Sequence, residues 1–147
     1  MTDTEYVPPK ENWVRDQLAA IDAAGDTRVA DVQGRRIVVF TVTGAKSGRP
    51  RRVPLMRVEH DGSYAAVASY GGAPKHPAWY HSMRANPQLT LQDGTEHHTL
   101  VARQVEGDER AQWWKRCVEA FPPYAEYQEK TDREIPVLVC EPVRRDG

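Results

Sequence analysis

The sequence predicts a small antiparallel β-barrel decorated by helices, and three observations carry that prediction. About six segments have strand character, two Asp-Gly turns join pairs of them, and helical stretches fall between hairpins without regular βαβ alternation. The chain has 147 residues, 39% of them apolar, which suffices for one domain with a substantial core. No Ser/Gly-rich linker divides it, so a single domain over 1–147 is expected, with an N-terminal helical segment over 1–25 and a barrel core over 36–142.

From Asn12, the spacing of Val14, Leu18 and Ile21 predicts a helix that stops at Gly25. Residues 36–43 are rich in β-branched side chains and predict a strand that delivers the chain into Gly44. A second strand is expected over 51–59, with a turn at Asp61-Gly62 and a return over 63–69. Pro77 then opens a short helix through Trp79, Tyr80 and Met83 that Asn86-Pro87 ends. Residues 88–92 and 95–105 form another hairpin about Asp93-Gly94. Trp114, Cys117, Val118 and Phe121 recur at i, i+3, i+4 and i+7, the spacing of a helix with one buried stripe. Pro122-Pro123 breaks it, residues 124–130 suit a further helical turn, and 135–140 form a last strand ending at Pro142.

The charge distribution is uneven. Net charge is −1, yet residues 44–57 hold five cations and no carboxylate, leaving 15 Lys/Arg against 21 Asp/Glu elsewhere. Such a loop can steer and hold a polyanion, and the acidic remainder argues against a protein that coats nucleic acid. A solvated basic turn would show the same residues. Gly44-Ala45-Lys46-Ser47 is not a nucleotide P-loop, because Ala45 stands directly before Lys46, where that motif needs glycine. Strand alternation sends Arg51 and Arg52 to opposite faces, and Arg51 is the one expected to face a ligand. Trp79 and Tyr80 suit a flat aromatic ligand or, equally, the core of a short helix. Tyr124 and Tyr127, at i and i+3, would present two neutral hydroxyls on one side of a helical turn.

Other chemistries find little support. His97 and His98 alternate across a strand and cannot share an ion, so no metal is expected. Cys117 and Cys140 lie in apolar contexts without a CxxC and read as buried free thiols. No nucleophile motif is present, so a cofactor would carry any catalysis. No window approaches the roughly 20 apolar residues of a membrane span. The acidic, polar start of the chain gives no export signal, and a cytoplasmic protein is expected.

Four blocks in order, residues 43–51, 68–80, 85–87 and 124–136, together resemble the deazaflavin-dependent nitroreductases and F420H2-dependent quinone reductases of actinobacteria. The resemblance implies a split, FMN-binding-like β-barrel that binds coenzyme F420 and passes hydride from its reduced form to an acceptor. It places coenzyme contacts on Ala45, Lys46 and Ser47, on Arg51, Arg52, Val53, Pro54, Leu55 and Met56, and on Val67, Ala68, Ser69 and Tyr70. It adds Ala78, Trp79, Tyr80, His81, Ser82 and Tyr124. Lys46 and Arg51 would grip anionic groups. The backbone of residues 53–56 and Ser69 would border the ring, and Ser69, Tyr124 and Tyr127 would act on the acceptor.

Members that reduce bicyclic nitroimidazoles carry Tyr at the positions of Met56 and Phe121, and often Lys at that of Tyr70. The resemblance thus implies a hydride-donor site without those two hydroxyls, suited to a quinone or an activated C=C. The alternatives are an FMN-dependent barrel reductase and a non-catalytic deazaflavin binder. No nucleic-acid partner is expected, and association with the inner face of the membrane is at most peripheral. Composition leaves the oligomeric state open.

Overall fold

The computed structural model describes residues 12–32 and 34–143, so the expectations for residues 1–11 lie outside the described part. The elements follow in chain order: α1 (Asn12–Ala24), β1 (Asp31–Val32), β2 (Arg35–Thr43), β3 (Pro50–Met56), β4 (Glu59–His60), β5 (Ser63–Val67), α2 (Ala78–Ala85), β6 (Gln88–Asp93), β7 (Glu96–Gln104), α3 (Gly107–Ala120), α4 (Pro123–Glu129) and β8 (Val137–Pro142). All strand pairs are antiparallel, in the order β1-β2-β6-β7-β8-β5-β4, with β3 on β2. This is the curled antiparallel sheet the sequence predicts, with β1 and β4 added as two-residue strands.

The sheet is buried on both faces because successive side chains of a strand point to opposite sides. Ile37 and Val39 of β2 enter one cluster, and Val38, Phe40 and Val42 enter the other. Strand β8 divides likewise, with Val137 and Val139 opposite Leu138 and Cys140. The first cluster is covered by Val14, Leu18 and Ile21 of α1, by Trp113 and Cys117 of α3, and by Phe121 and Tyr124. The second is covered by α2 through Tyr80 and Met83. The apolar runs of β2 and β8 thus mark strands buried on both sides.

Four expectations need correction. The predicted strand over 51–59 is interrupted at Arg57 and Val58, where the chain passes from the β2–β3 pair to the β4–β5 hairpin. Arg57 turns there to donate from Nε to Asp93 at 2.9 Å, a long-range pairing with no local signal. The strand over 63–69 stops at Val67, because Ser69 is helical in backbone and Tyr70 has φ +48°. Asp93 belongs to β6, not to the turn. Its carboxylate is buried and accepts from Arg36 at 2.9 Å, Arg57 at 2.9 Å and the Tyr64 hydroxyl at 2.6 Å. On α3 the buried tryptophan is Trp113, while Trp114 packs half-buried at the margin. Both cysteines are free and buried, as expected, and burial pushes each thiol up to about 12.

Candidate active site

The basic loop is built by its own backbone. Gly44 N–H donates to the Arg49 carbonyl at 2.8 Å, Gly48 N–H to the Gly44 carbonyl at 2.9 Å, and Arg49 N–H to Ser47 Oγ at 3.1 Å. With turn groups satisfied internally, Lys46, Arg49 and Arg51 stand exposed, and none has an ion pair among the described residues. Strand β3 then separates the neighbouring arginines as alternation requires. Arg51 shares a face with Val53 and Leu55, whereas Arg52 turns beneath α1 and pairs with Asp22, Nη2 to Oδ2 at 2.8 Å. Arg52 therefore holds α1 to the sheet.

Two of the predicted blocks meet directly. Ser82 Oγ on α2 accepts the Ala45 N–H at 3.1 Å, and Asn86 Nδ2 donates to the Thr43 carbonyl at 3.3 Å. The loop of residues 45–47 is thereby docked on the helix of residues 78–82. Within that helix Tyr80 is a core residue, 4% exposed, with its hydroxyl donating to Gln104 at 2.7 Å, whereas Trp79 is half-buried and Ala78 and His81 are exposed.

The sheet does not close between β3 and β5. Strand β3 pairs β2, while β5 pairs β4 and β8. Along this gap Val53, Pro54 and Leu55 are half-exposed although apolar, and Tyr70 is 54% exposed. Val67 and Ala68 are buried beside it, in opposite clusters. A flat apolar edge left open along a strand suits a planar ring.

The far side is aromatic. Tyr124 and Tyr127 of α4 lie with ring centroids 6.2 Å apart, and Phe121 stands 5.1 Å from the former and 6.3 Å from the latter. Met56 and Val67 belong to the same cluster. Tyr124 is 4% exposed, and its hydroxyl has no hydrogen-bond partner among the described residues. Burial, reinforced by Cys117 and Tyr127, pushes its ionisation well above the ordinary tyrosine range, so it stays a neutral donor. Ser69 Oγ likewise has no partner among the described residues. Neither hydroxyl is among the fully buried unpaired polar atoms of the described residues, so each remains within reach of solvent or a ligand.

Arg133, which the sequence reading did not single out, ties the 68–73 loop together. Its Nε donates to the Ala73 carbonyl at 2.9 Å, Nη1 to the Ala68 carbonyl at 3.1 Å, and Nη2 to the Ser69 carbonyl at 2.8 Å, with His76 Nδ1 3.0 Å from Nη1. Only its place in the 124–136 block hinted at a role. Gly72 lies within the 68–80 block. A Cβ there would stand 2.9 Å from the Tyr127 carbonyl and 3.0 Å from Lys130 Cβ, so the 70–72 turn lies flush against α4.

A profile of the F420H(2)-dependent quinone reductase family matches residues 13–142. The chain belongs to the F420H(2)-dependent quinone reductase family. It is similar to an F420H(2)-dependent quinone reductase of Mycobacterium tuberculosis (strain ATCC 25618 / H37Rv), with 36% identity over 105 residues covering 69% of this chain and 70% of that protein. A solved F420-H2 dependent reductase (FDR-A) is 59% identical, with TM-score 0.70 over 76% of this chain and 99% of that one. Another solved structure, described as a domain-swapped dimer, is 56% identical, with TM-score 0.72 over 88% and 98% of the two chains. The fold of this F420H2-dependent reductase is accordingly the split barrel, and its coenzyme is reduced F420. Among the described residues no helix is long and apolar enough to cross a membrane.

Proposed function

We propose that the protein reduces a quinone, with hydride supplied by reduced F420, and that the coenzyme lies along the open edge between β3 and β5. The observation that carries this reading is the pairing of unneutralised cations at one end of that edge with unbonded hydroxyls at the other. Lys46, Arg49 and Arg51 fit an anionic tail, since the described residues provide no carboxylate partner for them. Arg52, committed to Asp22, is left out of that grip. Val53, Pro54, Leu55 and Trp79 provide apolar contact for a ring.

When bound, the reduced deazaflavin supplies the hydride. The protein's own residues would hold the acceptor against it, exclude water and supply hydrogen bonds. Tyr124, kept neutral by burial, donates to an acceptor carbonyl, and half-buried Tyr127 is nearer solvent for proton exchange. Met56 and Phe121 make the acceptor wall apolar, which favours a quinone or an enone over a substrate needing many polar contacts. The solved domain-swapped relative makes a dimer a reasonable assembly here too.

The test is to mix purified protein with reduced F420 and menadione, with cyclohexenone in parallel, and follow coenzyme absorbance. Oxidation above the protein-free control with menadione supports the reading. Oxidation with cyclohexenone alone moves the acceptor to activated C=C compounds, and oxidation with neither sinks it.

A further inference from the structure

Tyr70 is an exposed tyrosine held at φ +48°, a conformation that costs a side-chain-bearing residue about 1–2 kcal/mol. Strain of that kind persists only where surrounding structure over-determines it. Here two turn bonds, Gly72 N–H to the Ser69 carbonyl at 2.9 Å and Ala73 N–H to the Tyr70 carbonyl at 3.1 Å, act together with Arg133. Its planar fork takes the carbonyls of Ala68 and Ser69 on one side of the loop and that of Ala73 on the other, spanning the strained residue. Arg133 is itself held in place, because Gln128 donates to the Arg133 carbonyl at 2.8 Å and accepts from Ile135 N–H at 2.9 Å. The guanidinium therefore reaches the loop from a clamped base on the segment that follows α4.

The peptide unit is planar and trans, so fixing a carbonyl fixes the following N–H in the opposite direction. Carbonyls 68 and 69 are drawn to Arg133, so the N–H groups of Ser69 and Tyr70 point away from it. Neither has a backbone partner among the described residues. Ser69 has φ −73° and ψ −38°, and Tyr70 follows in the left-handed region, a right-then-left step that converges successive N–H groups on one concave spot. The Ser69 hydroxyl shares the same residue. The 70–72 turn also rests on the Tyr127 carbonyl, so the loop and α4 keep a fixed relation.

We propose that Arg133 is a positioning residue for the reduction. It holds the Ser69–Tyr70 step in its strained form, so that two backbone donors and the Ser69 hydroxyl are preset for the electron-rich carbonyl and ring-nitrogen edge of the coenzyme. This rests on the coenzyme reading given under Proposed function. The pre-organisation is done by the protein before the coenzyme arrives, so the coenzyme spends none of its binding free energy on it.

The experiment uses Arg133→Gln and Arg133→Lys, each in the wild-type and the Tyr70→Gly background. It measures hydrogen exchange of amides 68–76 without coenzyme, and F420 affinity from tryptophan fluorescence. Arg133→Gln is expected to speed exchange over 68–76 and weaken F420 about tenfold, while exchange in β6 and β7 is unchanged. Lys should not restore either, because an ammonium cannot span three carbonyls as the fork does. In the Tyr70→Gly background the loss from Arg133→Gln should shrink to about threefold or less, since glycine enters the left-handed region at no steric cost. Unchanged exchange over 68–76, or an equal F420 penalty in both backgrounds, overturns the proposal. If the wild type itself does not bind F420, the coenzyme reading fails and takes the ligand part of this proposal with it. The exchange data still decide whether Arg133 sets the loop.

Discussion

Two loops flank the open edge of the sheet, and they use their arginines in opposite ways. The loop between β2 and β3 closes through its own backbone bonds and leaves Lys46, Arg49 and Arg51 without ion pairs. The loop between β5 and α2 has turn bonds of its own, from Gly72 and Ala73 N–H, but is also tied by a distant arginine, Arg133, whose guanidinium is committed to three carbonyls and a histidine. In the first the cations are available to a ligand. In the second the cation is part of the scaffold. A count of basic residues cannot tell these uses apart, because both depend on what lies within about 3 Å of the guanidinium.

The comparison can be broken most sharply at glycine. Gly72 and Gly48 both have positive φ, but a Cβ on Gly72 meets the Tyr127 carbonyl, while one on Gly48 meets nothing within 4 Å. Gly72→Ala should cost about 2–4 kcal/mol, combining left-handed strain with overpacking against α4, and Gly48→Ala about 1 kcal/mol. Denaturant midpoints with equal slopes check this, and equal losses at the two sites would erase the distinction. Tyr124→Phe comes next. Removing a hydroxyl that has no protein partner should leave the thermal midpoint unchanged or higher, while turnover falls about 10- to 100-fold through the lost donor. A fall in stability with unchanged turnover would make Tyr124 a core residue only.

Arg51 and Arg52 give the third contrast, within one strand. Arg51→Ala should weaken F420 about tenfold and flatten the salt dependence of binding, with stability unchanged. Arg52→Ala should do the reverse, costing about 0.2–1 kcal/mol of stability and leaving coenzyme affinity intact. Titrating each variant at two salt concentrations, alongside a urea melt, separates them. The smallest expected effect concerns His76. Burial first, then the positive Arg133, His81 and Arg84, hold its protonation below the ordinary histidine range. The folded form thus binds the proton less readily than the unfolded chain, and its contribution is complete above about pH 6.5 and lost as pH falls through the lowered value. Protection of amides 68–76, taken relative to the intrinsic exchange rate at each pH, should fall on acidification through that window. His76→Gln should abolish the dependence.

Much of the scaffold was legible because it rests on local periodicity. The stripe Val14, Leu18, Ile21 forms and buries as spaced, and the Asp61-Gly62 hairpin closes between His60 and Ser63. The candidate site was legible in part. Alternation correctly separated Arg51 from Arg52, and the paired tyrosines do share one side of α4. What escaped had no local signature. Asp93 looked like a turn residue, yet it gathers Arg36, Arg57 and Tyr64 from three other strands or their edges. Arg133 sat among polar residues with nothing to show that its partners lay some 60 positions earlier.

The sequence by itself determined which segments pair or pack, which face of each is apolar, and where positive charge is concentrated, since these follow from side-chain spacing of 2 or 3.6 residues and from composition. Only the tertiary structure decided which cations are free and which are consumed, where the barrel stays open, and which hydroxyls find no partner. Those are properties of contacts between elements far apart in the chain, and hydrogen bonding and burial are settled by whatever group the fold brings within reach.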